Sequence, residues 1–195
     1  RMIRSRLLLF TPDFPPNRGG VARYLSRLAE YFSPQITVIS GVSLLLFRWV
    51  WPRWMKSVFL LFRLRQQYDI VLTSHILPFG TAALVSSWFT HKPYVLIVHG
   101  MDVRLAQTNP WKRFLSSIIM KRARVVVTNS QALAQEVAVR FSVSLPIVVY
   151  PCLTDAQISV SLPPEDPNVP FTFLTVARLV SRKGHSAVLS ALLAL

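Results

Sequence analysis

Short apolar runs rich in β-branched residues alternate along the chain with longer amphipathic stretches. This alternation is typical of parallel strands buried on both faces and joined by helices. The predicted strands are Arg6–Phe10, Gln35–Ser40, Asp69–Thr73, Tyr94–Val98, Arg124–Thr128, Pro146–Tyr150 and Phe171–Val176. The predicted helices are Val21–Phe32, Arg53–Gln67, Phe79–Phe89, Trp111–Lys121 and Gln131–Phe141. We therefore expect an α/β fold with a Rossmann-like, doubly wound parallel sheet.

A proline-rich segment divides this pattern. Residues 155–170 contain four prolines and lack helical periodicity, so we interpret them as a linker. The first domain is predicted over residues 1–154, and a second Rossmann-like domain begins at residue 171. An apolar helical pattern still continues at residue 195 without a stop signal, so we interpret the second domain as truncated.

The composition is globular but strongly basic. The chain carries 22 Lys and Arg residues against 8 Asp and Glu residues, a net charge of +14, which attracts nucleic acid, anionic lipid or phosphorylated substrates. No nucleic-acid recognition motif is evident, so we expect no nucleic-acid partner. The single cysteine, Cys152, excludes a disulfide framework and a cysteine-rich zinc site.

The most apolar segment, Leu44–Phe62, is interrupted by Arg48, Pro52, Arg53 and Lys56, so we expect no transmembrane helix there. No signal peptide is evident at the start of the chain, and we expect a cytoplasmic protein.

The same region has the character of an interfacial helix, with cations on one face and tryptophans suited to lipid headgroups. A crossover helix packed on the sheet, with its cations in water, is the alternative for its apolar residues. We expect peripheral contact with the inner face of the cell membrane through Arg48, Trp51, Arg53, Trp54, Lys56 and Arg63.

Polar residues follow several predicted strands at the edge where parallel sheets bind ligands. His99 leaves the strand Tyr94–Val98 and can hydrogen-bond a sugar hydroxyl or take a proton. Asp102 can orient His99 or accept from an acceptor hydroxyl. A structural histidine and a helix cap are the alternatives for these two residues.

Gly19 and Gly20 follow the first strand and precede a helix. Paired glycines permit positive φ and close backbone approach, and the helix start offers free amides to a phosphate or a sugar hydroxyl. A tight turn that needs glycine is equally compatible. In the second domain, Arg178 and Lys183 form a two-point clamp for a diphosphate, or are solvated loop cations.

Together, five segments in this order resemble the retaining glycosyltransferases of family four, which have the GT-B fold. The segments are Pro15–Ala22, Val98–Asp102, Val125–Ser130, Val148–Pro151 and Leu174–Gly184. The resemblance implies that a nucleotide-diphosphate sugar is held between two Rossmann-like domains and that a hexosyl group is transferred with retention. It also implies a glycan or lipid-linked acceptor of envelope or exopolysaccharide assembly, and no metal or other cofactor.

The resemblance assigns roles by position. Arg178 and Lys183 are similar to donor diphosphate ligands, Gly19 and Gly20 to the loop against the donor or acceptor, and His99, with Asp102 near it, to the active-site histidine. The family's acidic E-x7-E stretch would lie beyond Leu195, so we expect this chain to be inactive alone. Two alternatives stay open: a non-catalytic basic module that binds anionic lipid or nucleic acid, and a GT-B-type nucleotide-sugar epimerase.

Overall fold

The computed structural model describes residues 5–41, 52, 54–152, 172–177 and 179–194. The chain divides into two compact units, Arg1–Leu153 and Thr154–Leu195. The linker predicted at 155–170 lies outside the described residues, so the predicted domain boundary stays a prediction.

The first unit is built on a parallel sheet. Among the described residues six strands pair in the order β2-β1-β3-β4-β5-β6. They are β1 (Leu7–Thr11), β2 (Ile36–Ser40), β3 (Ile70–Ser74), β4 (Tyr94–Val98), β5 (Val125–Thr128) and β6 (Ile147–Val148). The predicted α/β class and doubly wound parallel sheet are confirmed.

Helices connect these strands. They are α1 (Gly20–Tyr31), α2 (Met55–Arg63), α3 (Thr81–Thr90), α4 (Gly100–Ala106), α5 (Pro110–Arg122) and α6 (Gln131–Phe141). A π-helical turn, Ile76–Gly80, precedes α3. The side chain of Ser130 caps α6 by accepting from the backbone N–H of Leu133.

Two hydrophobic clusters hold the sheet between its helices. Leu8 and Phe10 of β1 belong to the larger cluster, whereas Leu7 and Leu9 belong to the smaller cluster with Leu25 of α1. Successive residues of a strand point to opposite faces, so β1 is buried on both sides. A central, fully buried β1 fixes the positions of the loops that follow it and its neighbour β3.

The order of the strands creates a topological switch point. β1 pairs with β2 on one side and with β3 on the other, so the chain reverses its direction of winding at β1. Loops that leave β1 and β3 diverge there and open a crevice at the carboxyl edge of the sheet. We therefore look for the site at that edge.

In the second unit, the described residues form a 3₁₀ turn, Ser181–Lys183, and helix α7 (His185–Leu192). The strand predicted at Phe171–Val176 is wrong for the residues that the structure describes, since 172–176 have no strand conformation. A strand forms only beside a partner strand, and none of the described residues of that unit supplies one. None of the described helices has the length and apolar character that crossing a bilayer requires.

Gly80 provides a test of the packing below this edge. A Cβ added there would lie 3.0 Å from Cγ2 of Ile119 and 3.3 Å from Cδ1 of Leu96. Because both neighbours are themselves buried, Gly80→Ala is expected to lower the free energy of unfolding by about 1–3 kcal/mol in urea denaturation. Gly100→Ala is the matched control, since a Cβ at Gly100 meets nothing within 4 Å. Equal effects of the two substitutions would contradict this packing.

Candidate functional site

The carboxyl ends of β1, β3 and β4 bring a group of polar side chains together. Thr11 ends β1 and Ser74 ends β3, and their buried hydroxyl oxygens lie 2.6 Å apart. His99 follows β4 directly and precedes α4. The rings of His75 and His99 lie 5.8 Å apart, so the ends of β3 and β4 meet. We call Thr11, Ser74, His75 and His99 the edge cluster.

The imidazole of His99 is the most enclosed polar ring at this edge. His99 is only 7% exposed, and Tyr24 of α1 meets its ring edge-on at a centroid distance of 6.1 Å. Tyr24 itself donates from its hydroxyl to the carbonyl of Val149, which fixes α1 against the chain after β6. Nε2 of His99 is buried and has no hydrogen-bond partner among the described residues. That nitrogen is a polar atom for which a ligand could provide the partner.

Burial and, as the smaller cause, the charge of the nearby His75 together lower the pKa of His99 to about 4. The ring is therefore uncharged at neutral pH. A neutral imidazole has one N–H donor and one nitrogen acceptor, which together suit a hydroxyl group.

Asp102 supports His99 through the backbone. Its side chain is almost fully buried, and its carboxylate accepts a hydrogen bond of 3.0 Å from the backbone N–H of His99. Burial raises the pKa of Asp102, against the lowering effects of His75 and of this hydrogen bond. Among the described hydrogen bonds none joins the Asp102 carboxylate to the His99 ring, so Asp102 fixes the start of α4 and thereby the Cα of His99.

His75 is the member of the cluster that our sequence analysis did not single out. Its Nε2 lies 3.3 Å from the Asp13 carboxylate and 3.9 Å from that of Asp102, and its Nδ1 lies 2.9 Å from the Ser74 hydroxyl. Its backbone has φ 71°, which is uncommon for a residue other than glycine and is found where surrounding contacts hold a strained conformation. The sequence signal that could have identified His75 is the group of polar residues that follow β1 and β3.

The two glycines after β1 require a correction to their predicted backbone role. Gly19 has φ 167°, an extended conformation open to any residue, and Gly20 is already the first residue of α1. Positive φ is therefore not the reason for glycine at Gly19. A Cβ at either position would meet no protein atom within 4 Å, and Gly19 lines a cavity of about 370 Å³. Space for a close ligand is the remaining reason that our sequence analysis gave.

The structure describes only some of the other predicted residues. Lys183 is exposed in the 3₁₀ turn of the second unit. Trp54 precedes α2, with Lys56 and Arg63 on the helix, which is shorter than predicted because it spans only Met55–Arg63. The remaining predicted site residues, Arg48, Trp51, Arg53 and Arg178, lie outside the described residues.

A metal site is a separate question. Across the described part of the chain, no group of three or more His, Cys, Asp or Glu side chains is arranged to hold a metal ion.

Residues 18–157 match the family model of Glycosyltransferase Family 4. The chain belongs to this family. The match begins in the loop after β1 and includes Ser74, His75, His99 and Asp102, whereas Thr11 and Asp13 lie before its first residue. It identifies the first unit as a glycosyltransferase-like domain. None of the curated proteins is similar enough in sequence to count as a match.

Among solved structures, this family 4 chain resembles HepE from Anabaena. HepE in complex with UDP and glucose gives a TM-score of 0.50 at 17% identity, over 79% of this chain and 48% of HepE. HepE with UDP and HepE with UDP-glucose give TM-scores of 0.49 and 0.48, also at 17% identity, over 79% and 78% of this chain and 48% of HepE in both cases. The chain spans about half the length of these structures, and the first similarity establishes the GT-B-like fold only.

The burial of His99 predicts how stability depends on pH. In the unfolded chain the ring takes a proton below about pH 6.5, whereas in the folded chain it does so only near pH 4. The unfolded state therefore binds more protons across this range, and His99 makes the free energy of unfolding fall by about 3 kcal/mol as the pH is lowered.

Urea denaturation from pH 7 to pH 4 measures this effect in the wild type and in His99→Gln. The opposing contribution of Asp102, whose raised pKa favours the folded state in acid, is present in both proteins. The free energy of unfolding of the wild type, relative to that of His99→Gln, is expected to decrease as the pH falls. A constant difference between the two curves would show that His99 is not desolvated.

Proposed function

We propose that this chain carries the acceptor-side domain of a glycosyltransferase that moves a hexosyl group from a nucleotide-diphosphate sugar to a glycan or lipid-linked acceptor, with retention. The observation that carries the proposal is the buried, uncharged imidazole of His99 at the carboxyl edge of the sheet, whose Nε2 has no hydrogen-bond partner among the residues that the structure describes. The family match supports the reaction class.

His99 is proposed to bind a sugar hydroxyl rather than to act as a strong base. A ring with a pKa near 4 is a poor proton acceptor at neutral pH, but its Nε2, which has no hydrogen-bond partner among the described residues, is available to a sugar hydroxyl. Asp102 holds the backbone of His99 in place, and His75 connects Asp102 to Asp13 of the first loop. In this proposal the carboxylates position the imidazole, and the imidazole contacts the sugar.

The donor is proposed to lie against Gly19 and Gly20. The amides at the start of the twelve-residue helix α1 suit a phosphate or a sugar hydroxyl, and the open space above the glycines permits its approach. Arg178 and Lys183 of the second unit remain the proposed diphosphate ligands, with no metal or other cofactor. Because HepE has been solved with UDP-glucose, this is the first donor to test.

The acceptor is proposed to belong to polysaccharide or envelope assembly, and the protein to act in the cytoplasm on the inner face of the membrane. One form of this proposal is contact with the membrane surface through Arg48, Trp51, Arg53, Trp54, Lys56 and Arg63. The high net positive charge of the chain supports an anionic surface as the partner.

Transfer of labelled sugar tests the proposed reaction. Because we expect the 195-residue chain to be inactive alone, a form that includes a complete second domain is incubated with labelled UDP-glucose and other sugar nucleotides. A lipid extract and a polysaccharide fraction serve as acceptors. Label is expected in a glycan or glycolipid whose anomeric configuration matches the donor. His99→Ala is expected to lower kcat about 100-fold, because a hydrogen bond made in the transition state is lost.

His91→Ala is the control for this substitution, since His91 is exposed after α3 and lies outside the edge cluster. An epimerised sugar nucleotide as the product would identify an epimerase instead. Lipid or oligonucleotide binding without any sugar-nucleotide binding would identify a non-catalytic module. Full turnover by His99→Ala would remove the proposed role of His99.

A further inference from the structure

An apolar surface lies on α4 and the first turns of α5. Trp111 is 66% exposed and Phe114 is 58% exposed, and their rings lie 6.0 Å apart. Met101 and Leu105, one turn apart on α4, are also exposed, and α4 packs beside α5. Four large apolar side chains on two adjacent helices exceed the scattered apolar exposure of an ordinary surface.

This surface lies near the edge that holds His99. α4 begins directly after His99, and Met101 stands between His99 and Asp102 in the sequence. α5 runs back along the sheet, since the residue two positions after its end, Arg124, donates its backbone N–H to Tyr94 at the amino end of β4. The first turns of α5, with Trp111 and Phe114, therefore lie toward the carboxyl edge.

A basic cavity adjoins the aromatic pair. The cavity has a volume of about 420 Å³, and its walls include Gln107, Arg113, Phe114, Ser117, Lys121 and Arg140. The Arg140 guanidinium pairs with Glu136 at 3.3 Å and also donates to the side-chain oxygen of Gln107.

The positive charge of this cavity is largely uncompensated. Among the described hydrogen bonds, the guanidinium of Arg113 donates only to the backbone carbonyl of Arg140, at 3.2 Å. Neither Arg113 nor Lys121 pairs with a carboxylate of the described residues. The side-chain nitrogen of Gln107 is buried and has no hydrogen-bond partner among the described residues. A phosphate group would supply the anionic partner that Arg113 and Lys121 lack among the described residues.

We propose that this face, made of Met101, Leu105, Trp111 and Phe114 with the cavity of Arg113 and Lys121, docks on an anionic phospholipid bilayer. The headgroup phosphate occupies the basic cavity, and the aromatic rings lie at the level of the headgroups, where tryptophan is favoured. Charge complementarity selects the partner, because the cavity offers cations beside an apolar surface and the chain as a whole carries +14.

Docking by this face would also place the edge of the sheet at the membrane. His99 lies one residue before α4, so a lipid-linked acceptor would reach it without leaving the bilayer surface. This consequence rests on the proposed glycosyl transfer, whereas the docking itself does not. Helix α2 presents a second outward apolar stripe, Met55, Phe59 and Phe62, which belongs to the membrane contact already proposed through Trp54, Lys56 and Arg63.

Cosedimentation of the 195-residue chain with vesicles tests the docking. Vesicles of phosphatidylcholine alone are compared with vesicles that also contain phosphatidylglycerol. Binding is expected only to the anionic vesicles. Arg113→Gln and Lys121→Gln are each expected to weaken it about fivefold, since each removes one cation near the surface. Trp111→Ser with Phe114→Ser is expected to weaken it further.

The matched control is Trp88→Ser with Phe89→Ser on α3, which removes two similarly exposed rings, 56% and 65% exposed, from a helix that carries neither of the proposed membrane contacts. This variant is expected to bind as the wild type does, and circular dichroism verifies that every variant folds. Vesicle binding requires neither a sugar nucleotide nor turnover, so its failure is distinguishable from failure of the proposed reaction.

Four results would overturn the docking proposal. The first is unchanged binding by the α5 variants, and the second is equal binding to neutral vesicles. The third is saturable binding of inorganic phosphate or glycerol phosphate by a chain that ignores vesicles, which would indicate a site for a soluble anion. The fourth is self-association that disappears with Trp111→Ser and Phe114→Ser in a chain that ignores vesicles, which would show that a second copy covers the face.

Discussion

The removal of the His99 ring from water is the interaction on which the carboxyl edge depends. The ring is enclosed by Tyr24 from α1 and by His75 from the end of β3, while Asp102 fixes its backbone. Enclosure keeps the ring uncharged at neutral pH, and its Nε2 has no hydrogen-bond partner within the described part of the chain. Three elements distant in sequence thus converge on one unsatisfied polar atom, as expected where a ligand completes the site.

Acidic and basic residues are unevenly distributed over this strongly basic chain. The chain has only 8 acidic residues, and two of them, Asp13 and Asp102, face His75. Cations instead remain exposed on the helices, as Arg113 and Lys121 do on α5. The two carboxylates lie beside Nε2 of His75, while the Ser74 hydroxyl pairs with its Nδ1. The exposed cations leave the outer surface attractive to phosphate.

Much of this fold followed from local pattern. β4 has the predicted bounds Tyr94–Val98, and the polar residues at the strand ends placed His99 at the carboxyl edge. The strand predicted at Phe171–Val176 is absent over the described residues 172–176, because an apolar pattern cannot by itself supply a pairing partner. Helix α4 was missed because seven residues are too few to establish a period.

The least predictable part of the site was His75. Its positive φ and its two carboxylate neighbours arise from contacts among β1, β3 and α4, which no local pattern encodes. Gly19 shows the opposite case, since its extended backbone removes the conformational reason for glycine and leaves space for a ligand.

Nitrogen-15 NMR of the imidazole side chains, recorded across a pH titration of the folded protein, tests the central claim most directly. The His99 signals, assigned by their loss in His99→Gln, are expected to stay those of a neutral ring down to a midpoint near pH 4. A midpoint near 6.5, the ordinary value for histidine, would show that the ring is solvated and would contradict the account.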